Sequence, residues 1–156
     1  MVMFAHIHGN LHRQFKALEL LLSLLEEEFG LLRARDTEAV TCLEFSIHEL
    51  LRQILRERMD LKKILQETTL GEYAGLLPEE EGAAVNRLYA RIDDLEQQTS
   101  RLASRNAELS LALLDQSQSL LSFLHSQIAP RRRNTYNAKG RFCEDRPAAA
   151  LISGRL

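Results

Sequence analysis

The chain is predicted to fold as an all-α antiparallel three-helix bundle, or coiled coil. Its long C-terminal helix should protrude from the bundle, and a disordered basic tail should follow. Three observations predict this. Only 7 Gly and 3 Pro occur in 156 residues, with no Trp, a composition that favours long helices over sheets. Apolar residues recur at alternating spacings of three and four over three long stretches. That rhythm stops at Pro130.

Residues 1–9 are expected to be loose, with Asn10 as the N-cap of the first helix. Leu11, Phe15, Leu18, Leu22, Leu25, Phe29 and Leu32 then form a heptad seam, thickened by Leu21, Leu24 and Leu31. Such a helix needs at least two neighbours to cover it. Arg33 and Arg35 suit the negative end of a helix, and Asp36 suits the cap of the next. So short a link implies an antiparallel hairpin.

The second helix is expected over residues 37–67. Val40, Leu43, Ile47, Leu50, Ile54, Leu61 and Ile64 line its seam, with Glu57 as a polar gap. Leu51, Leu55 and Leu65 should broaden it. In the connector, Thr69-Leu70-Gly71-Glu72 has the form of a capping box and predicts a short helix over 70–77. Pro78 and Glu79, Glu80 and Glu81 suit the start of the third long helix, although Gly82 places its settled start nearer Ala83.

The seam of that helix reads Val85, Leu88, Ile92, Leu95, Thr99, Leu102, Asn106, Leu109, Leu113, Gln116, Leu120 and Phe123. Thr99, Asn106 and Gln116 are polar. Two readings of them stand side by side: buried residues that fix register or partner, or solvent-facing points where the seam drifts. The domain division that follows is a helical domain over 1–129 and a flexible basic tail over 130–156.

Charge follows the same division. Residues 1–129 carry 13 basic and 20 acidic side chains, and residues 130–156 carry 7 basic and 2 acidic. The body is acidic and the tail is basic. Arg131–Arg133 with Tyr136 suggest phosphate contacts, but an acidic body would repel a nucleic-acid backbone, so nucleic acid is not expected as a partner. Cys42 and Cys143 give no disulfide framework. No signal-peptide pattern opens the chain, and Leu20–Leu25, broken by Ser23, is far short of the ~20 apolar residues of a membrane span. A cytoplasmic protein with no stable membrane insertion is expected.

No chemistry is legible. His6, His8 and His12 cluster without a carboxylate or Cys at ligand spacing, so no metal is expected. Glu44, His48 and Glu49 do not make the Glu-x-x-His pairs of a di-iron bundle. No phosphate loop, nucleophile elbow or Cys-x-x-Cys is present. No cofactor, catalytic residue or enzyme activity is predicted.

Length supplies a site instead. At ~1.5 Å per residue the first helix should be roughly 36–40 Å long, the second about 45 Å and the third about 70 Å. In an up-down-up arrangement the third loses cover near Leu109–Leu113. Leu109, Leu113, Leu114, Leu120, Leu121, Phe123, Leu124 and Ile128 then form an apolar face suited to a partner helix. At ~25 cal/mol per Å², seven such side chains left wet forgo on the order of 10 kcal/mol. Two competing covers are a kink that folds the helix back and a homodimer paired through this segment when no partner is bound. The second would make the protein a homodimeric coiled-coil adaptor or structural protein.

Three stretches carry a family resemblance: LLSLLEEEFGLLRARDTEAV, then Leu50 to Leu65 with Arg56 and Arg58, then RNAELSLALLDQSQSLLSFL followed by TYNAKG. In order and spacing, over roughly residues 11–142, the chain resembles the FlgN-type flagellar export chaperones. The resemblance implies a cytosolic type III export chaperone. Such a protein binds C-terminal helical segments of the hook–filament junction proteins FlgK and FlgL and delivers them to the membrane export gate. It places cargo on the face from Leu109 to Leu124 and gives Tyr136, just past the helix, the role of docking to the gate.

Overall fold

The computed structural model describes residues 2–128. Four helices follow in order: α1 Val2–Ala34, α2 Thr37–Leu65, α3 Leu70–Leu76 and α4 Glu79–Ile128. No strand occurs among the described residues, so the all-α helical fold is found. The chain divides into two units, Met1–Leu111 and Ala112–Leu156. The bundle is built within the first. The expected tail over 130–156 lies outside the described residues.

The α1–α2 link closes as expected, by a mechanism readable in its hydrogen bonds. Arg35 adopts a left-handed φ of 58°. Its N–H donates to Leu32 O and the N–H of Asp36 donates to Leu31 O, both at 3.1 Å, the paired bonds of a Schellman ending. Asp36 Oδ1 then accepts from the N–H of Ala39 at 3.0 Å and caps α2. Two residues thus end one helix and start the next, so α1 and α2 must run antiparallel.

The start of α1 differs from expectation. The helix begins at Val2, and Asn10 is an interior residue, 2 % exposed. The reason is that Phe4 and Ile7 extend the three–four seam one heptad back from Leu11. Ile7 is fully buried, and Phe4 packs against the core. Asn10 is satisfied across the bundle instead of at a helix end. Its Nδ2 donates to Glu57 O at 2.8 Å and to Glu57 Oε2 at 2.7 Å, and its Oδ1 accepts from Gln14 Nε2 at 2.6 Å. Arg13 adds bonds of 2.7 and 2.9 Å to the same carboxylate, which raises the Arg13 pKa above its ordinary value. The polar gap at Glu57 is therefore an interhelical knot that fixes the stagger of α1 against α2.

Ile47, Leu50, Ile54 and Leu65 of α2 join Leu11, Phe15, Leu18, Leu21 and Leu25 of α1 in the core. The expected broadening of the α2 seam holds for Leu65 but not for Leu51 or Leu55, which are exposed. They lie to one side of the buried line, where neither α1 nor α4 reaches them.

The connector follows its capping chemistry. Thr69 and Glu72 make the full box, with Thr69 N donating to Glu72 Oε2 at 2.8 Å and Glu72 N to Thr69 Oγ1 at 3.2 Å. These bonds to Thr69 hold the Glu72 carboxyl below its ordinary pKa. α3 buries Tyr73 and Ala74. The next helix starts at Glu79, not near Ala83, with three acidic residues in its first turn. Gly82 does not delay it, because Gly82 is a packing residue. A Cβ there would lie 2.5 Å from Ala74 O, so only glycine lets α3 lie this close to α4.

Two aromatic contacts fix how α4 runs. Arg91 stacks over Phe15 with 4.2 Å to the ring centroid, and Arg105 over Phe29 with 3.9 Å. Both pairs are 76 residues apart, so α4 runs parallel to α1 in constant register. Lys16 and Arg33 of α1 flank the same two rings at 5.5 and 5.9 Å. Each exposed cation–ring pair contributes about 0.5–1 kcal/mol. An ion pair between Arg58 and Glu96 ties α2 to α4. The up-down-up arrangement is thus realised, and the register aligns the last turn of α1 with α4 near Ser110.

Candidate functional site

Burial along α4 falls where that register says α1 ends. Val85, Leu88 and Ile92 are buried, as are Thr99 and Asn106; Leu95, Leu102, Leu109 and Leu113 are half-buried. Beyond Leu113 every described residue is exposed. Leu111, Leu114, Leu120, Leu121, Phe123, Leu124 and Ile128 are each 45–67 % exposed.

The polar positions of the seam divide between the two readings. Thr99 and Asn106 are buried, and Gln116 is exposed. Thr99 Oγ1 donates to main-chain oxygens of its own helix, Leu95 O at 2.9 Å and Glu96 O at 3.0 Å. Asn106 reaches across: its Nδ2 donates to Leu25 O at 2.8 Å and Glu28 Oε2 at 2.7 Å, while its Oδ1 is buried without a hydrogen-bond partner. Asn106 is the last buried residue of α4. It pins the helix to α1 one turn before cover runs out, because sliding the register would break both Nδ2 bonds and leave a buried donor unpaired.

The exposed stretch has distinctive chemistry. From Leu109 to Ile128 its one formal charge is Asp115. The remaining polar residues are Ser, Gln and His, and Ser117 and Ser126 turn their hydroxyls back onto Leu113 O and Phe123 O, at 2.9 and 2.6 Å. Of the residues predicted for this face, Leu114, Leu120, Leu121, Phe123, Leu124 and Ile128 are exposed on one helix; Leu109 and Leu113 are half-buried at its inner edge. Leu111 was missed because it lies off the seam, yet it is 67 % exposed. Tyr136 lies outside the described residues.

Among the described residues no group of three or more His, Cys, Asp or Glu is placed to hold a metal ion. His8 and His12 instead lie near the rings of Phe4 and Phe15. Cys42 is free and exposed. An open cleft of about 470 Å³ lies between the end of α2, the connector and α4. It is floored by Leu11, Leu61, Leu65 and Ile92, and its rim includes Arg58, Lys62, Asp93 and Glu96. No helix of the described residues is long and apolar enough to cross a membrane.

The family model described as FlgN protein matches residues 1–142. The chain therefore belongs to the FlgN family, a family of flagellar export chaperones and not of enzymes. The match begins at residue 1 and so takes in the N-terminal segment that the motif resemblance left out. No curated protein and no solved structure matches the chain significantly.

Proposed function

We propose that the chain acts in the cytoplasm and that the α4 face from Leu109 to Ile128 receives C-terminal helical segments of hook–filament junction proteins of the FlgK and FlgL type. It holds them apart until they reach the export gate. One observation carries this reading: a run of apolar side chains at helical spacing, exposed on the same helix that Asn106 bonds to α1. An amphipathic helix laid along that face covers it by apolar contact alone, since Asp115 is the one formal charge it meets. Co-expression with FlgK-type C-terminal segments followed by pull-down tests the assignment. Capture that resists high salt is expected, because salt screens charge pairs and not apolar burial. Failure to capture any such segment overturns it.

The late tyrosine carries the delivery step in this proposal. Tyr136→Ala is expected to leave cargo capture intact and to reduce cargo secretion severalfold, read as junction protein in the culture medium. Unchanged secretion removes Tyr136 from that role.

A further inference from the structure

The cleft beside the end of α2 holds an acceptor that the fold leaves unused. Gln14 is 3 % exposed and lines the cleft wall. Its Nε2 is committed to Asn10 Oδ1 at 2.6 Å, and its Oε1 accepts no hydrogen bond among the described residues. Nor is that oxygen sealed in the core: the sealed side-chain atom without a partner, among the described residues, is Asn106 Oδ1. Gln14 therefore presents an unmet carbonyl to the cleft. A polar group this deeply set and unpaired is costly, and a ligand that brings a donor removes the cost.

The surroundings decide which donor fits. Gln66, Glu67 and Thr68, which follow the last turn of α2, form part of the wall, and the C-terminal end of a helix carries partial negative charge. On the rim Arg58 and Glu96 bind each other. That leaves Lys62 against Glu67 and Asp93, none of which forms an ion pair among the described residues, so the balance is acidic. Asp93 gives Oδ2 to Gln97 at 3.0 Å and keeps its second oxygen unused. Tyr89, 52 % exposed, stands one turn before Asp93 on the same side of α4 and offers its ring to a cation. The floor of Leu11, Leu61, Leu65 and Ile92 is apolar. Acceptors, a ring and a helix C-terminus above an apolar floor suit a planar cation on an aliphatic stem. A guanidinium has donors only and is more weakly hydrated than an ammonium.

We propose that this cleft docks an arginine side chain presented, with an adjacent apolar residue, by a segment of a partner protein. The stem and the neighbouring side chain lie on the floor. The guanidinium stacks on Tyr89 and donates to Asp93 and to Gln14 Oε1. At about 470 Å³ the cleft exceeds one arginine side chain, so the apolar neighbour is part of what is recognised. Lys62 disfavours a second positive charge in the segment, which separates this ligand from a polybasic run. Every lining residue precedes Leu109, so the site is distinct from the cargo face and does not rest on the cargo assignment.

The probe is the blocked tripeptide acetyl-Leu-Arg-Leu-amide, titrated into the nitrogen-15-labelled full chain and read by amide chemical shifts. Saturable shifts centred on residues 61–70 and 89–96 and on the Gln14 side-chain amide are expected, with a Kd on the order of 1 mM. Citrulline in place of the arginine keeps the shape and loses the charge, and should weaken binding at least about tenfold. Asp93→Asn and Tyr89→Ala should each weaken it at least about threefold with unchanged helical circular dichroism, because both side chains are exposed. No saturable shift up to about 20 mM peptide overturns the proposal. So does equal binding of the citrulline peptide, which would make the cleft a purely apolar contact, or wild-type affinity in either variant. Shifts confined to residues 109–128 overturn it too, by placing the peptide on the cargo face. Cargo capture is read separately by pull-down, so failure here leaves that assignment standing.

Discussion

Replacing Leu121 and Leu124 together by Asp is expected to lower affinity for FlgK-type C-terminal segments at least about a hundredfold, while moving the thermal midpoint by no more than about 2 °C. Both side chains are about half exposed in the free chain, so an aspartate there meets water and the fold loses little. In the proposed complex the same carboxylates would be buried against an apolar helix, and an unpaired buried charge costs several kcal/mol. Isothermal titration against a cargo peptide, with differential scanning calorimetry of the free protein, separates the two effects. Wild-type affinity in the variant would remove the face from the cargo site. A large fall in midpoint would mean that the face is covered by its own chain.

Leu11→Ala gives the opposite profile. Leu11 is 1 % exposed in the core between the helices. Truncation there leaves a cavity and is expected to cost about 3 kcal/mol, a fall in midpoint of roughly 10 °C for a unit of this size. Cargo affinity of the molecules that remain folded should be unchanged at low temperature. A midpoint shift below about 2 °C would show that the α1 seam is not where the stability lies. The pair of variants divides the molecule into residues that hold it together and residues that are held out.

Much of this division was legible in the sequence. The heptad rhythm located three long helices, Asp36 and the Thr69–Glu72 box placed two helix starts, and the mismatch in length located the face beyond Leu109. The errors have physical causes. Asn10 looked like a cap because Asn favours helix ends, but here it bonds to Glu57 on another helix, which no local pattern displays. Gly82 looked like a weak helix start because its partner, Ala74 O, comes near only in three dimensions. Leu51 and Leu55 are expected to broaden the α2 seam because periodicity gives the width of an apolar face and not how much of it the neighbours reach. For Asn106 the sequence leaves burial and exposure both open, because its partners on α1 are distant in the chain.

The parallel register of α1 and α4 has a consequence for biosynthesis. α1 and α2, joined by a two-residue Schellman link, form a local hairpin that can assemble while the chain is still being made, whereas α4 must close on a partner 76 positions earlier. Synthesis therefore brings Arg91 and Arg105 out of the ribosome before Leu114 to Ile128. The exposed apolar stretch is the last part of α4 to appear, and by then the residues that hold the earlier part of the helix to α1 are already available to fold.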